Sequence, residues 1–278
     1  MTDHQMTPLD AWVPSGVDVT VPSMARTYDF LLGGGHNFAP DRELAARTEQ
    51  LMPGAGKVAR INRAFLGRAV RYLADRGVDQ FLDIGSGIPT VGNVHEVAQR
   101  ALPNARVLYV DKDPIAVAHS ELMLTHNDNA DILRADMRDP ASILTSAQAR
   151  RLLDLSRPIA LLMVMMVHWV PDADDPHALI GRYRDALSAG SYLVLSHVTA
   201  DQRQDQISDA RNTIEQSRSA DHLTPRTHAE VLCLFDGFDL VEPGLVGCGL
   251  WQPAGPGDLS DTNHELNAHI YAGVGRKP

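Results

Sequence analysis

Three acidic residues and one glycine turn carry the chemistry that this sequence can be asked about. Asp83 is followed by Ile84-Gly85-Ser86-Gly87, and the apolar run before it has strand length. Glycines at a strand-to-helix turn let the backbone come close to a ligand, because positive φ costs them nothing. Asp111 ends the next apolar run, VLYV, with Lys112 beside it on the same edge. A carboxylate there can accept both hydroxyls of a ribose. Asp113 is the nearby alternative, or the cap of a helix opened by Pro114. Asp136 and Met137 follow the third run, where the acid can accept from an adenine amino group and the thioether can pack on the ring. Singly, each acid reads as an ordinary cap. Three acids at successive strand ends beside a glycine turn make a ligand edge of an open α/β sheet.

The acid just before the glycines suits a ligand with an amino group. The helix after the turn, starting near Pro89 or Gly92, is expected to aim its amides at the ligand's carboxylate. A dinucleotide fingerprint has a third glycine where this chain has Thr90, which disfavours a nicotinamide-dependent oxidoreductase. His168 ends the fourth apolar run. An imidazole near neutral pKa there can take a proton from an acceptor, or can simply bond to loop backbone. His197 faces the same choice. His36, His168 and His197 could together bind a metal, but their spacing does not compel it and none is assigned.

Positioning these residues requires alternating strands and helices. The strands expected are 80–84, 106–110, 131–134, 158–167 and 191–197. The helices between them are 92–101, 114–124, 141–153 and 176–188. That order implies right-handed βαβ units. The fourth run, IALLMVMMV, is apolar throughout, as a central parallel strand should be. Two further strands, 239–246 and 269–273, are joined by a long Gly/Pro-rich loop without a clean helix and should form an antiparallel pair. A helix running from Thr224-Pro225 through Phe235 precedes them. The fold expected is α/β, a doubly wound, mostly parallel seven-stranded sheet with a C-terminal antiparallel β-hairpin.

Ahead of the sheet lie a loose tail (1–22), a helical lid (23–76) and then the main domain (77–278). Three helices are expected in the lid, 23–32, 40–51 and 57–76. Arg26, Tyr28, Asp29, His36, Asn37 and Asp41 crowd one segment around Gly33-Gly34-Gly35, and Arg26 and Tyr28 are the candidates for contacts to a cofactor. Arg60, Arg63, Arg68, Arg71 and Arg76 alternate with apolar positions and read as a solvated helix face.

The chain has 278 residues, a formal net charge of −10 and two cysteines. An acidic surface repels phosphate backbone, so a small-molecule acceptor is favoured over nucleic acid. The longest apolar run is too short for a bilayer and the N-terminus lacks the pattern of a signal peptide. A cytoplasmic protein with reduced thiols is expected; no oligomeric state is readable.

Over about residues 81–277 these features resemble class I S-adenosylmethionine-dependent methyltransferases. MARTYDFLLGGGHNFAPDR, INRAFLGRAVRYL, FLDIGSGIPTVGNVHEVAQ, YVDKDPIAVAHS and YAGVGRKP are similar to an actinobacterial family of S-adenosyl methyltransferases whose substrates are unassigned. The resemblance implies S-adenosylmethionine as cofactor, with Gly85 and Gly87 at its methionine portion, Asp111 at the ribose and Asp136 at the adenine. It supplies no acceptor. The chain lacks an Asn-Pro-Pro-Tyr-like motif after the fourth strand, unlike amino-methylating nucleic-acid enzymes, and departs from the common glycine pattern at Pro89. The expected activity is O- or N-methylation of a small molecule, the alternative a non-catalytic binder of the cofactor or its product.

Overall fold

In the computed structural model the described residues are 13–14, 17–90, 92–253 and 264–278. The helices are α1 (Met24–Leu31), α2 (Ala39–Leu51), α3 (Ala55–Ala74), α4 (Val94–Ala101), α5 (Pro114–Leu124), α6 (Pro140–Leu144), α7 (Ala147–Leu152), α8 (Pro176–Ala186), α9 (Gln204–Gln216), α10 (His228–Cys233) and α11 (His264–Asn267). The strands are β1 (Gln80–Ile84), β2 (Arg106–Asp111), β3 (Ala130–Arg134), β4 (Ala160–Val164), β5 (Tyr192–Val198), β6 (Asp239–Leu240), β7 (Val246–Gly247) and β8 (Ile270–Arg276).

They form one eight-stranded sheet, ordered β3-β2-β1-β4-β5-β8-β6, with β7 also paired to β8. The first five strands are parallel, and β8 runs antiparallel to β5, β6 and β7. This is a Rossmann-like α/β sheet with antiparallel C-terminal strands. The single strand expected over 239–246 is broken in two. Pro243 has no N–H to donate to a ladder, and Gly244 turns with φ +88° and bonds back to Val241 O. β6 and β7 pair with opposite ends of β8, so together they fill one edge position.

Alternate residues along each strand face opposite layers. Phe81, Val107, Tyr109 and Ala160 pack with α3, α4 and α5; Leu82, Leu108, Val110 and Leu161 pack with α7, α8 and α10. α3 is therefore part of the sheet's own helical layer, burying Phe65, Ala69, Val70 and Leu73 there. Arg68 on it is buried and donates to Cys248 O at 2.7 Å and Trp251 O at 2.8 Å, so the arginine series is not uniformly a solvated face. Residues of the expected tail also make contacts with the rest of the protein. Val13 and Val17 pack on Ile88, Ile115 and Ala116, and Val21 O accepts from Arg26. Residues 1–12 and 15–16 lie outside the described residues. Among the described residues no helix is long and apolar enough to cross a membrane.

Candidate active site

A cavity of about 790 Å³ opens at the carboxyl ends of β1 to β5 and is roofed by residues of α1, α2 and α9. Gly85 (φ +72°) and Gly87 (φ +67°) shape its floor after β1. A side chain at Gly85 would also collide with Met166, whose Sδ lies 2.0 Å from the place a Cβ would take. Ser86, between them, has a buried Oγ without a hydrogen-bond partner.

Asp83 is buried at the end of β1, and its carboxylate accepts no hydrogen bond among the described residues. Burial pushes its carboxyl up to about 7, against the pull of Arg63 and with a push from Asp111. Asp111 accepts from Gly87 N and Asp113 N, both at 2.8 Å, and burial raises it to about 6 despite those bonds. Asp113 is the N-cap of α5, accepting from Ile115 N at 2.8 Å, and holds Ser23 Oγ with its other oxygen. Lys112 also lines the cavity, and its Nζ pairs with Asp221 at 2.6 Å. Asp136 lines the cavity, but its carboxylate is gripped by the Arg138 guanidinium and held below the usual carboxylate range. Met137 is buried in the cavity wall and its carbonyl accepts from Tyr183.

The amides expected to face the ligand's carboxylate are engaged elsewhere. α4 starts at Val94, later than expected, behind a capping box of Asn93 and Glu96; Glu96 accepts from Asn93 N and also from Gly92 N, while Asn93 Oδ1 accepts from Thr90 N ahead of the helix. The cation on this side is Arg63, from α3, which lines the cavity and bonds to Gly92 O at 3.3 Å. Sequence reasoning had grouped it with the solvated arginines.

His168 sits in a single 3-10 turn, Val167–Trp169, just past β4. It lines the cavity, is fully buried, and neither ring nitrogen has a hydrogen-bond partner. Burial, then the neighbouring His197 and Arg226, hold its pKa well below the ordinary value, so it is a neutral imidazole. It is therefore not the loop-bonded histidine of the alternative reading. His197 is that kind of residue. Its Nδ1 donates to Val198 O at 2.7 Å, its Nε2 accepts from Arg226 at 3.0 Å, and burial lowers it to about 3. Arg226 also donates to Val170 O and Asp172, bracing the turn that carries His168. No sequence signal marked Arg226. His36 lies against His119, with ring centroids 4.0 Å apart and the rings tilted by 52°, and among the described residues no three acidic, His or Cys side chains form a group that could hold a metal ion.

The N-terminal candidates line the cavity with their polar ends turned inward to the protein. Arg26 pairs with Asp41 at 3.1 Å, both buried, and donates to Val21 O at 2.6 Å. Asp41 accepts further from Ser23 N and Phe38 N. Tyr28 donates to Ala59 O at 3.1 Å and accepts from Asn62 Nδ2 at 3.0 Å. Asn62 Oδ1 accepts in turn from Ser196 Oγ at 2.7 Å, and Ser196 Oγ from Met165 N at 3.0 Å. Asp29 accepts from His36 N and Asn37 Nδ2, and Gly34 packs so close that a Cβ would fall on the carboxylate. The glycine run thus wraps a buried acid.

α9 was not read from the sequence. Its Ile207, Ala210 and Ile214 line the cavity at helical spacing, a periodicity that would have revealed it.

The pattern of a family described as S-adenosyl methyltransferase matches residues 10–278. A candidate methyltransferase from Thermobifida fusca YX is 41% identical over 96% of this chain and 99% of its own, with a TM-score of 0.88. A DUF574-family protein from Streptomyces avermitilis MA-4680 is 38% identical over 94% and 99%, also at 0.88. The plantazolicin methyltransferase BpumL, solved with a triazolic desmethylPZN analog and S-adenosylhomocysteine, is 13% identical over 91% and 96% with a TM-score of 0.51, a likeness of fold alone. No curated protein matches. The nicotinamide and non-catalytic readings give way to this membership: the chain belongs to the S-adenosyl methyltransferase family and is an S-adenosylmethionine-dependent methyltransferase.

Proposed function

We propose that the protein methylates an oxygen or nitrogen atom of a small-molecule acceptor, with His168 at the acceptor's proton-bearing atom. One observation carries the reading. A single cavity runs from the Gly85–Gly87 turn and Asp111 to a buried histidine with both nitrogens unpartnered.

The residues fit the cofactor. Asp83, whose carboxylate accepts no hydrogen bond among the described residues, would take the amino group, and Arg63 the carboxylate that the capped α4 amides leave unmet. Asp111 would take the ribose hydroxyls. Met137 would pack on the adenine, with Asp136 beside it and Ser86 near the glycine turn. When bound, S-adenosylmethionine supplies a sulfonium methyl group to a nucleophile and leaves as a neutral thioether. The protein's part is then to hold the acceptor in line and exclude water, positioning worth about 7–11 kcal/mol when complete. Neutral His168 accepts the hydrogen bond, and then the proton, from the attacking atom.

Asp111→Ala should weaken binding of S-adenosylmethionine by about 1–3 kcal/mol, the range for lost charge-assisted hydrogen bonds. Unchanged affinity by calorimetry would remove Asp111 from the ribose. Methyl transfer from labelled S-adenosylmethionine into a pool of cell metabolites tests the acceptor class. Label appearing only in nucleic acid or protein would overturn it.

Binding should also move protons. With pKa values raised to about 7 and about 6, Asp83 and Asp111 are partly protonated in the free protein near pH 6.5. A cationic ligand prefers their charged forms and lowers both pKa values, so binding expels protons. Affinity is then full above about pH 7 and falls below it, by up to about tenfold per pH unit for each proton expelled. Calorimetry at pH 6.5 in phosphate and in Tris should return different enthalpies. Equal enthalpies would mean that neither acid meets the ligand as an anion.

A further inference from the structure

The cavity has two unlike halves. Its charged residues gather around β1, β2 and β3, where the cofactor is assigned. The other half, past the ends of β4 and β5, is walled by Leu44, Ile207, Ile214, Leu223 and Val198, with Met24, Met52, Met165 and Trp169 against them. α2, α9 and β5 contribute no charged side chain to the lining. Thr48, the polar residue that α2 presents, spends its hydroxyl on Leu44 O at 2.9 Å.

Among the described residues, two of the buried polar side chains that line the cavity on this side have no hydrogen-bond partner. His168 is one. Thr27 is the other, one helical turn from Met24 on α1, lining the cavity with a buried Oγ1 that has no hydrogen-bond partner. A buried donor or acceptor left unmet is costly, and such groups call for a partner, here one that the cavity can admit.

We infer that the acceptor is a neutral, largely apolar ring compound, seated between α2, α9 and the ends of β4 and β5, that presents one hydroxyl or N–H to His168 and Thr27. This rests on the methyl-transfer reading above. Among the described residues, an anionic acceptor would find no open cation on this side, since Arg26 is neutralised by Asp41 and Arg226 is turned to Val170 O and Asp172. A cationic acceptor would find the lining carboxylates past α9 and β4, Asp221 and Asp174, already paired with Lys112 and Arg138, and would face the sulfonium. Burying either charge unpaired is prohibitive. Methionine side chains adapt to irregular outlines and make favourable contacts with aromatic rings, and Trp169, tilted against His168 at 4.6 Å, offers a flat face. In the reaction, a lone pair of the acceptor's O or N forms the bond to the methyl carbon. The S–CH3 bond breaks with its electron pair going to sulfur, and the acceptor's proton passes to His168.

The test uses the full chain saturated with S-adenosylhomocysteine, titrated calorimetrically with 2-naphthol, naphthalene-2-sulfonate and 1-decanol. 2-Naphthol should bind at least about tenfold more tightly than either of the others, a gap of about 1.4 kcal/mol. Filling the chamber by Ala210→Leu should weaken 2-naphthol at least about tenfold and leave S-adenosylhomocysteine within about twofold. Ile207→Asp should do the same where it folds. Preference for the sulfonate overturns neutrality, and preference for decanol overturns the ring. 2-Naphthol binding that ignores Ala210→Leu overturns the location. Failure of S-adenosylhomocysteine to bind the wild-type chain instead defeats the methyl-transfer reading, and this inference with it.

Discussion

His168→Ala is expected to slow methyl transfer by about 10²–10⁴-fold, the usual contribution of a positioned proton acceptor. Affinity for S-adenosylhomocysteine should stay within about twofold, because the assigned cofactor contacts lie on β1, β2, β3 and α3. Single-turnover rates and calorimetry on the same variant separate the two. Equal loss in both, or in neither, would leave His168 as packing. The pH profile adds a second check. An imidazole works as acceptor only when neutral, and burial extends its neutral range to well below pH 6.5. At saturating cofactor, kcat should therefore pass through pH 6.5 without a step. A loss of kcat centred there would mean that the ring titrates as an exposed histidine does.

Asp41→Ala is expected to cost about 3–5 kcal/mol of stability, the range for leaving one member of a buried ion pair alone. Asp41 is fully buried and receives Arg26, Ser23 N and Phe38 N. Denaturant melts should show the loss, and hydrogen exchange should quicken first over residues 17–38. The paired variant Arg26→Leu with Asp41→Leu should recover much of the stability, since apolar replacements of a buried pair are often neutral. If that double variant folds but binds S-adenosylmethionine more weakly by over about 1 kcal/mol, Arg26 contacts the cofactor after all.

The sheet was legible because its signal is periodic and its ends are marked. Asp83, Asp111 and Asp136 each sit where an apolar run stops, and the structure brings all three to one cavity. What escaped was set by tertiary partners. Nothing in the sequence tells a solvated arginine from Arg63 facing the cavity or Arg68 donating to two carbonyls. Whether an arginine near a pocket meets a ligand depends on which acid lies closer, and for Arg26 that acid is Asp41. The start of α4 was misplaced because Gly92 looked like a helix entry, whereas the Asn93–Glu96 box fixes it two residues on. The helix expected over 141–153 is two, since Ser146 ends one segment by bonding to Ile143 O and caps the next.

The hydrogen bonds that tie Met165 to α1 admit one polarity only. An amide N–H can only donate, so Ser196 Oγ must receive Met165 N and direct its own proton at Asn62. That fixes which side of the Asn62 amide is oxygen, so its nitrogen points at Tyr28, whose hydroxyl hydrogen is left for Ala59 O. Aspartate, the same shape as asparagine, has no hydrogen to send onward when ionised, so at position 62 it would stop the sequence of donors midway. A segment at the N-terminus and the backbone just past β4 therefore share a single arrow of donation, running from an amide that can only give to a carbonyl that can only receive.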